Sequence, residues 1–235
     1  MATFDRGGML RKPYSRVRRR FLLQALSAVG FGSAVAAARR VLAQGAQLPG
    51  IYSVEGEVRL NGVPAAPGFL VNPGDVVETG ARSQAVFVAG ADAFLVRAAT
   101  RLQTSGSEGF ISALRIVTGK VLSVFGPGER RIETETATIG IRGTGIYVEA
   151  EQERTYVCTC YGVADLQPRD EPQLRETVAT RHHEQPRYIY SSRSMPANQM
   201  MESAPVIDHT DAELVLLESL VGRSPPFLGS GGPPY

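Results

Sequence analysis

The sequence predicts an all-β fold with a single short helix near its C-terminus. From Ile51 onward, short runs of β-branched and aromatic residues alternate with turn signals rich in glycine, proline and asparagine. Helical periodicity is lacking until Thr210, where a capping pattern opens an amphipathic stretch. The 25 glycines and 15 prolines among 235 residues suit a chain of many turns, and 43% hydrophobic residues suit a packed core.

Taken in order, residues 44–50 read as a linker before the β domain. Val58–Leu60 and Val63 flank Asn61–Gly62, a pair that favours the left-handed backbone of a type I′ hairpin. Asn72–Pro73–Gly74–Asp75 is a turn leading into Val76–Glu78. Ala85–Val88 and Ala93–Val96 are two strands joined by Ala89–Asp92. Leu114–Val117 and Gly119–Val124 follow, then Ile132–Thr134. Ala137–Val148 mixes Gly140, Gly143 and Gly145 with β-branched residues, which predicts a tight Arg142–Gly143–Thr144 turn and then a strand. In that strand Ile146 and Val148 alternate with Tyr147 and Glu149, the pattern of one buried face. Arg142 is expected to pair with an internal carboxylate that holds the turn.

Further strands are expected at Arg154–Val157 and Val163–Leu166, closing a β domain over 51–167. A C-terminal extension, 168–222, begins with the polar loop Pro168–Pro172 and offers strands near Val178–Ala179 and Tyr188–Tyr190. The helix is expected over 211–221. Thr210 and Glu213 form its capping box, Leu214, Leu217, Leu220 and Val221 share a face, and Gly222 with Pro225–Pro226 ends it. It would lie on the β domain as a lid, with 223–235 as a flexible tail.

The β strands alone are compatible with a sandwich or a β-roll/β-helix. The ordered set Gly56–Glu57–Val58, Asn61–Gly62, Gly74–Asp75–Val76–Val77–Glu78–Thr79–Gly80, Ala85–Val86–Phe87, Gly119–Lys120–Val121, Thr134–Glu135–Thr136–Ala137 and Ile141–Arg142–Gly143–Thr144 resembles the FecR domain. That family is a β-rich extracytoplasmic module of bacteria, and the resemblance spans 51–167, about half of the chain. It implies the β-roll/β-helix-like form and a non-enzymatic binding or signalling role in the cell envelope. Well-known members regulate sigma factors through a cytoplasmic helical domain joined to the periplasmic one by a membrane span. In this chain a short basic leader stands in that place, so the resemblance does not carry sigma-factor regulation over. The expected partner is an envelope protein or ligand.

The leader accounts for the overall charge. Nine of the 25 Lys+Arg and one of the 23 Asp+Glu lie in residues 1–43, leaving 16 basic against 22 acidic residues and a net charge of −6. That sign argues against nucleic-acid binding. Arg18–Arg19–Arg20–Phe21–Leu22 opens an apolar, small-residue-rich run to Ala38, and Val41–Leu42–Ala43 offers a cleavage site. The pattern is that of a secretory signal over 1–43, similar to the twin-arginine kind, and places the mature chain in the periplasm without a membrane span. The competing reading is an uncleaved inner-membrane anchor.

Both cysteines, Cys158 and Cys160, lie on one expected strand, so their thiols emerge on the same face. An i,i+2 disulfide across an extended strand is strained, because the Cα atoms stand about 6.5–7 Å apart. A metal explains a thiol pair in an oxidising compartment: thiolate with imidazole suits copper, zinc or iron. The candidate ligands are Cys158, Cys160, His182 and His183, brought together if Thr177–His183 lies beside Thr155–Tyr161, with Glu184 or a carbonyl steadying an imidazole. Adjacent histidines on a strand face opposite ways, so only one of the pair would join the thiols. His209, ahead of the helix cap, reads as a surface residue. Burial as ordinary core residues, or a strained or intermolecular disulfide, would equally account for the cysteines. Gly140-x-x-Gly143-x-Gly145 is followed by a strand and has no lysine in reach, which excludes a phosphate loop. No catalytic residue and no organic cofactor site is expected.

Overall fold

A computed structural model describes residues 49–107 and 110–229. The leader at 1–43 and the end of the tail, from 230, lie outside the described residues. Among the described residues no helix is long and apolar enough to cross a membrane. The described residues are mostly β-strand with one short α-helix near the C-terminus, as the sequence predicts.

The strands in chain order are β1 (Gly50–Glu55), β2 (Val58–Leu60), β3 (Val63–Pro64), β4 (Val76–Thr79), β5 (Gln84–Ala89), β6 (Asp92–Val96) and β7 (Arg101–Ser107). Then come β8 (Phe110–Val124), β9 (Glu129–Glu133), β10 (Ala137–Ala150), β11 (Arg154–Pro168), β12 (Glu176–Thr180), β13 (Arg187–Tyr190) and β14 (Met201–Ser203). The helix α1 spans Asp211–Leu220. All fourteen strands belong to one hydrogen-bonded sheet.

Three long strands fold that sheet over on itself. β8, β10 and β11 each change partners midway, at Gly119, Gly143 and Gly162, which have φ of 98°, 56° and 94°. The first half of β8 pairs with β7, and its second half with β6 and β10. The second half of β11 pairs with β12, and its first half with β13. Two layers result. β2, β4, β7, β9 and β12 lie with one set of half-strands, and β1, β5, β6 and β13 with the other. Alternate residues of both layers meet in one core, including Phe87, Phe94, Leu102, Ile116, Ile139 and Ile146.

Two local expectations change. Arg142–Gly143–Thr144 is a bend inside the continuous strand β10, with Thr144 donating to Val163 O at 2.9 Å, rather than a turn between strands. Arg142 pairs with Glu129 at 3.0 Å, but both side chains are exposed, so the pair is a surface one. The Asn61–Gly62 hairpin is as expected, with φ of 54° and 79°.

The second layer is buried on both sides. Tyr147 and Glu149, expected to face solvent, are buried along with Ile146 and Val148. Their outer face forms a second cluster with Val88, Leu95, Leu122 and Val124, covered by Leu214, Leu217 and Val221 of the helical segment. Thr210 caps α1 as predicted, accepting from Glu213 N while Glu213 Oε2 accepts from Thr210 N at 2.9 Å. Residues after 167 continue the same sheet, and packing extends beyond 223, since Phe227 is buried in the outer cluster.

Candidate metal centre

Between the outer face of the second layer and α1, four side chains converge from three separate pieces of chain. Cys158 and Cys160 project from β11 on the helix side, alongside Tyr156. The ladder slips at this point: Tyr161 pairs with Gly145 and Thr159 with Ile146, which leaves Cys160 as the extra residue of a β-bulge. The bulge turns Tyr161 to the same face as the cysteines. Gly145 makes room for that ring, since a Cβ there would lie 2.4 Å from Tyr161 Cε1. Tyr161 Oη then donates to the buried Glu218 of α1 at 2.5 Å.

His183 arrives from the turn after β12. That strand ends at Thr180, opposite Gly162, and Arg181 N donates to Glu184 Oε2 at 2.9 Å to close the turn. His183 has φ of 56° and donates its N–H to Cys160 O at 2.9 Å. Its Nδ1 lies 3.4 Å from Cys158 Sγ and 2.9 Å from His209 Nε2. His209 comes from the loop before α1, where its ring stacks on Tyr147 at a centroid distance of 4.6 Å. The donor atoms of Cys158, Cys160, His183 and His209 all lie within 4.8 Å of one another, and all four residues are buried.

Outer partners fix the two rings. His209 Nδ1 donates to Ile207 O at 2.6 Å, so its proton sits there and Nε2 offers a lone pair inward. His183 Nε2 lies 3.2 Å from Asp211 Oδ1, an acceptor, so that nitrogen carries a proton. His183 Nδ1 then faces His209 Nε2 at 2.9 Å, a separation that demands a proton or a cation at that point. Asp211 is buried at the first position of α1, where the helix amides favour its charge.

The electrostatics are those of a thiolate trap. The neighbouring Cys160 hydrogen-bonds to Cys158 and draws its thiol well below the usual range; burial opposes this, and His183 and His209 reinforce it. Burial pushes Cys160 well above its ordinary value, and Cys158 pushes the same way. Burial disfavours a charged His183, yet Cys158 and Asp211 together outweigh it and raise the group above the usual histidine value.

Of the four expected ligands, Cys158, Cys160 and His183 converge, and His182 stands one layer out. His182 Nε2 lies 2.9 Å from Asp211 Oδ1, and its ring stacks on Phe227 at 4.5 Å. Asp211, rather than Glu184, steadies the imidazole of His183. The expected pairing of Thr177–His183 with Thr155–Tyr161 is also shifted, because β12 runs beside Gly162–Leu166. The histidines lie in the turn beyond it and reach the thiols by folding back.

His209 was expected at the surface and is instead buried, 6% exposed. His209 immediately precedes the cap residue Thr210, the position an apolar residue takes in a hydrophobic staple, but a histidine there carries no such signal, so its burial was not legible.

Cys158, His183 and Asp211 also line up as a thiol, a base and an orienting carboxylate. A nucleophile needs an approach for its substrate, and Cys158 is 0% exposed beneath the helical segment.

No protein-family model matches the sequence, and no curated protein matches it. Among solved structures, one described as a "putative anti-sigma factor" from Parabacteroides distasonis overlaps 61% of this chain and 64% of its own, with 12% identity and a TM-score of 0.44. A second structure of the same description overlaps 55% of this chain and 58% of its own, with 11% identity and a TM-score of 0.44. The chain therefore spans less than two thirds of the length of either.

Proposed function

We propose that this protein is a non-enzymatic, FecR-like module of the bacterial cell envelope that binds one transition-metal ion through Cys158, Cys160, His183 and His209. One observation carries the metal reading: two thiols and two inward imidazole nitrogens, all buried, lie within 4.8 Å of one another, with outer hydrogen bonds orienting both rings. The envelope location is supported by the twin-arginine-like leader, and the module's kinship by the ordered FecR-like motifs over 51–167. Its expected partner is an envelope protein or ligand.

The test is the metal content of protein recovered from the periplasm. Wild type is expected to hold one ion per chain. Replacing Cys158 and Cys160 by serine together, or His209→Ala alone, should abolish it, whereas His182→Ala should leave it in place. Metal-free wild-type protein that takes up none of zinc, copper or iron would overturn the reading.

A further inference from the structure

Resting on the metal-binding reading, we infer that the ion is divalent and tetrahedral, of the zinc kind, and that it works as a clasp fastening the helical segment to the sheet. The donor spacing comes first. A tetrahedral ion with bonds of about 2.3 Å to sulfur and 2.0–2.1 Å to nitrogen holds its ligands roughly 3.3–3.8 Å apart. The 3.4 Å separation of Cys158 Sγ and His183 Nδ1 matches, and the 2.9 Å between the imidazole nitrogens requires only a small opening. A two-iron cluster would set its thiolate and imidazole ligands on two separate iron atoms, farther apart than donor atoms that all lie within 4.8 Å of one another.

Charge selects the valence. With their outer nitrogens hydrogen-bonded to Ile207 O and Asp211, both histidines serve as neutral ligands. Two thiolates then cancel a divalent ion, giving a neutral centre among Tyr147, Tyr156, Leu214 and Phe227. A monovalent copper ion would leave one uncompensated negative charge in the same apolar wall, close to the Asp211 carboxylate. Four protein donors also fill the coordination sphere, which is the arrangement of a structural site rather than a catalytic one.

Connectivity gives the role. The donors sit on β11, on the turn after β12 and on the loop leading into α1. The ion would join residue 158 to residue 209, a link between distant parts of the chain at the point where α1 begins. At the same end His182 Nε2 lies 2.9 Å from Asp211, Tyr156 Oη donates to Pro205 O at 2.9 Å, the partly buried Arg97–Glu213 pair stands at 2.8 Å and the exposed Lys120–Asp208 pair at 2.6 Å. The exposed pair holds little, and the ion would add a coordinate link to these non-covalent contacts.

The experiment uses the full mature chain, stripped of metal and titrated with cobalt(II), zinc(II) and copper(I), with hydrogen exchange followed in each state. Cobalt should bind one equivalent with the intense visible absorption of a tetrahedral thiolate site, and zinc should displace it. Stripping should make amide exchange over 207–220 at least about tenfold faster while residues 137–150 stay protected. Arg142→Ala, at an exposed pair away from the site, should behave as wild type in both measurements, and His209→Ala should lose the spectrum and show the fast exchange. Binding of copper(I) alone would overturn the inferred ion and leave the metal-binding reading standing. Zinc binding with unchanged exchange over 207–220 would overturn the clasp. Uptake of no ion would remove both.

Discussion

At the scale of single residues, the buried charges are as specific as the thiols. Asp92 accepts from Gly126 N at 2.8 Å and from Arg130 Nε at 3.0 Å, with both side chains almost fully enclosed. Burial raises the Asp92 carboxyl above its ordinary value, and Gly126 and Arg130 offset only part of that. A carboxyl raised in the folded state binds its proton more tightly there than in the unfolded chain. Its contribution to stability is therefore full below pH 3.8 and is lost as pH rises through the folded value. Arg130→Met removes the main opposing charge and should destabilise the protein by about 3 kcal/mol at pH 7, because it strands a buried carboxylate. The deficit should shrink as pH falls and Asp92 takes up its proton. Urea titrations at pH 7 and at pH 5 check this, and a deficit independent of pH would show that packing alone is at stake.

At the scale of elements, the sequence told which segments are strands more clearly than how they bend. Alternation and turn residues mark β5, β6 and the Asn61–Gly62 hairpin, because those signals are local. The capping box of α1 is local too, and it forms as read. The bends in β8, β10 and β11 were not legible, since a glycine within a β-branched run is compatible with a turn or a kink until the neighbouring strands are known. The same nonlocality hid the metal candidates' arrangement. Which half of β11 faces β12 decides where His182 and His183 land, and no residue near either histidine encodes it. Gly143 tests the bend directly. A Cβ there meets nothing within 4 Å, so any penalty comes from φ of 56° alone. Gly143→Val should destabilise by about 1–2 kcal/mol, with the thermal midpoint as the measure. An unchanged midpoint would mean that β10 does not need the left-handed residue.

At the scale of the whole molecule, the second layer is the middle of three. It has the inner core on one side and the outer cluster of α1 and Phe227 on the other. A chain ending at residue 203 keeps every strand of the sheet but bares Val86, Val88, Leu95, Leu122, Val124 and Tyr147. Such a chain should bind a hydrophobic dye and self-associate, as contiguous apolar faces do. A monomeric, dye-silent truncation would show that the helical segment is not the cover.

The order of synthesis follows from this layering. The apolar face is laid down between Val86 and Tyr161, but its lid, from Leu214 to Phe227, is among the last described parts of the chain to leave the ribosome. Until then the nascent protein carries a complete sheet with one greasy side open, the kind of surface that chaperones recognise. Any product released early, by a stop codon or a clipped C-terminus, keeps that surface for good. Only a chain that carries residues 214–227 hides that face.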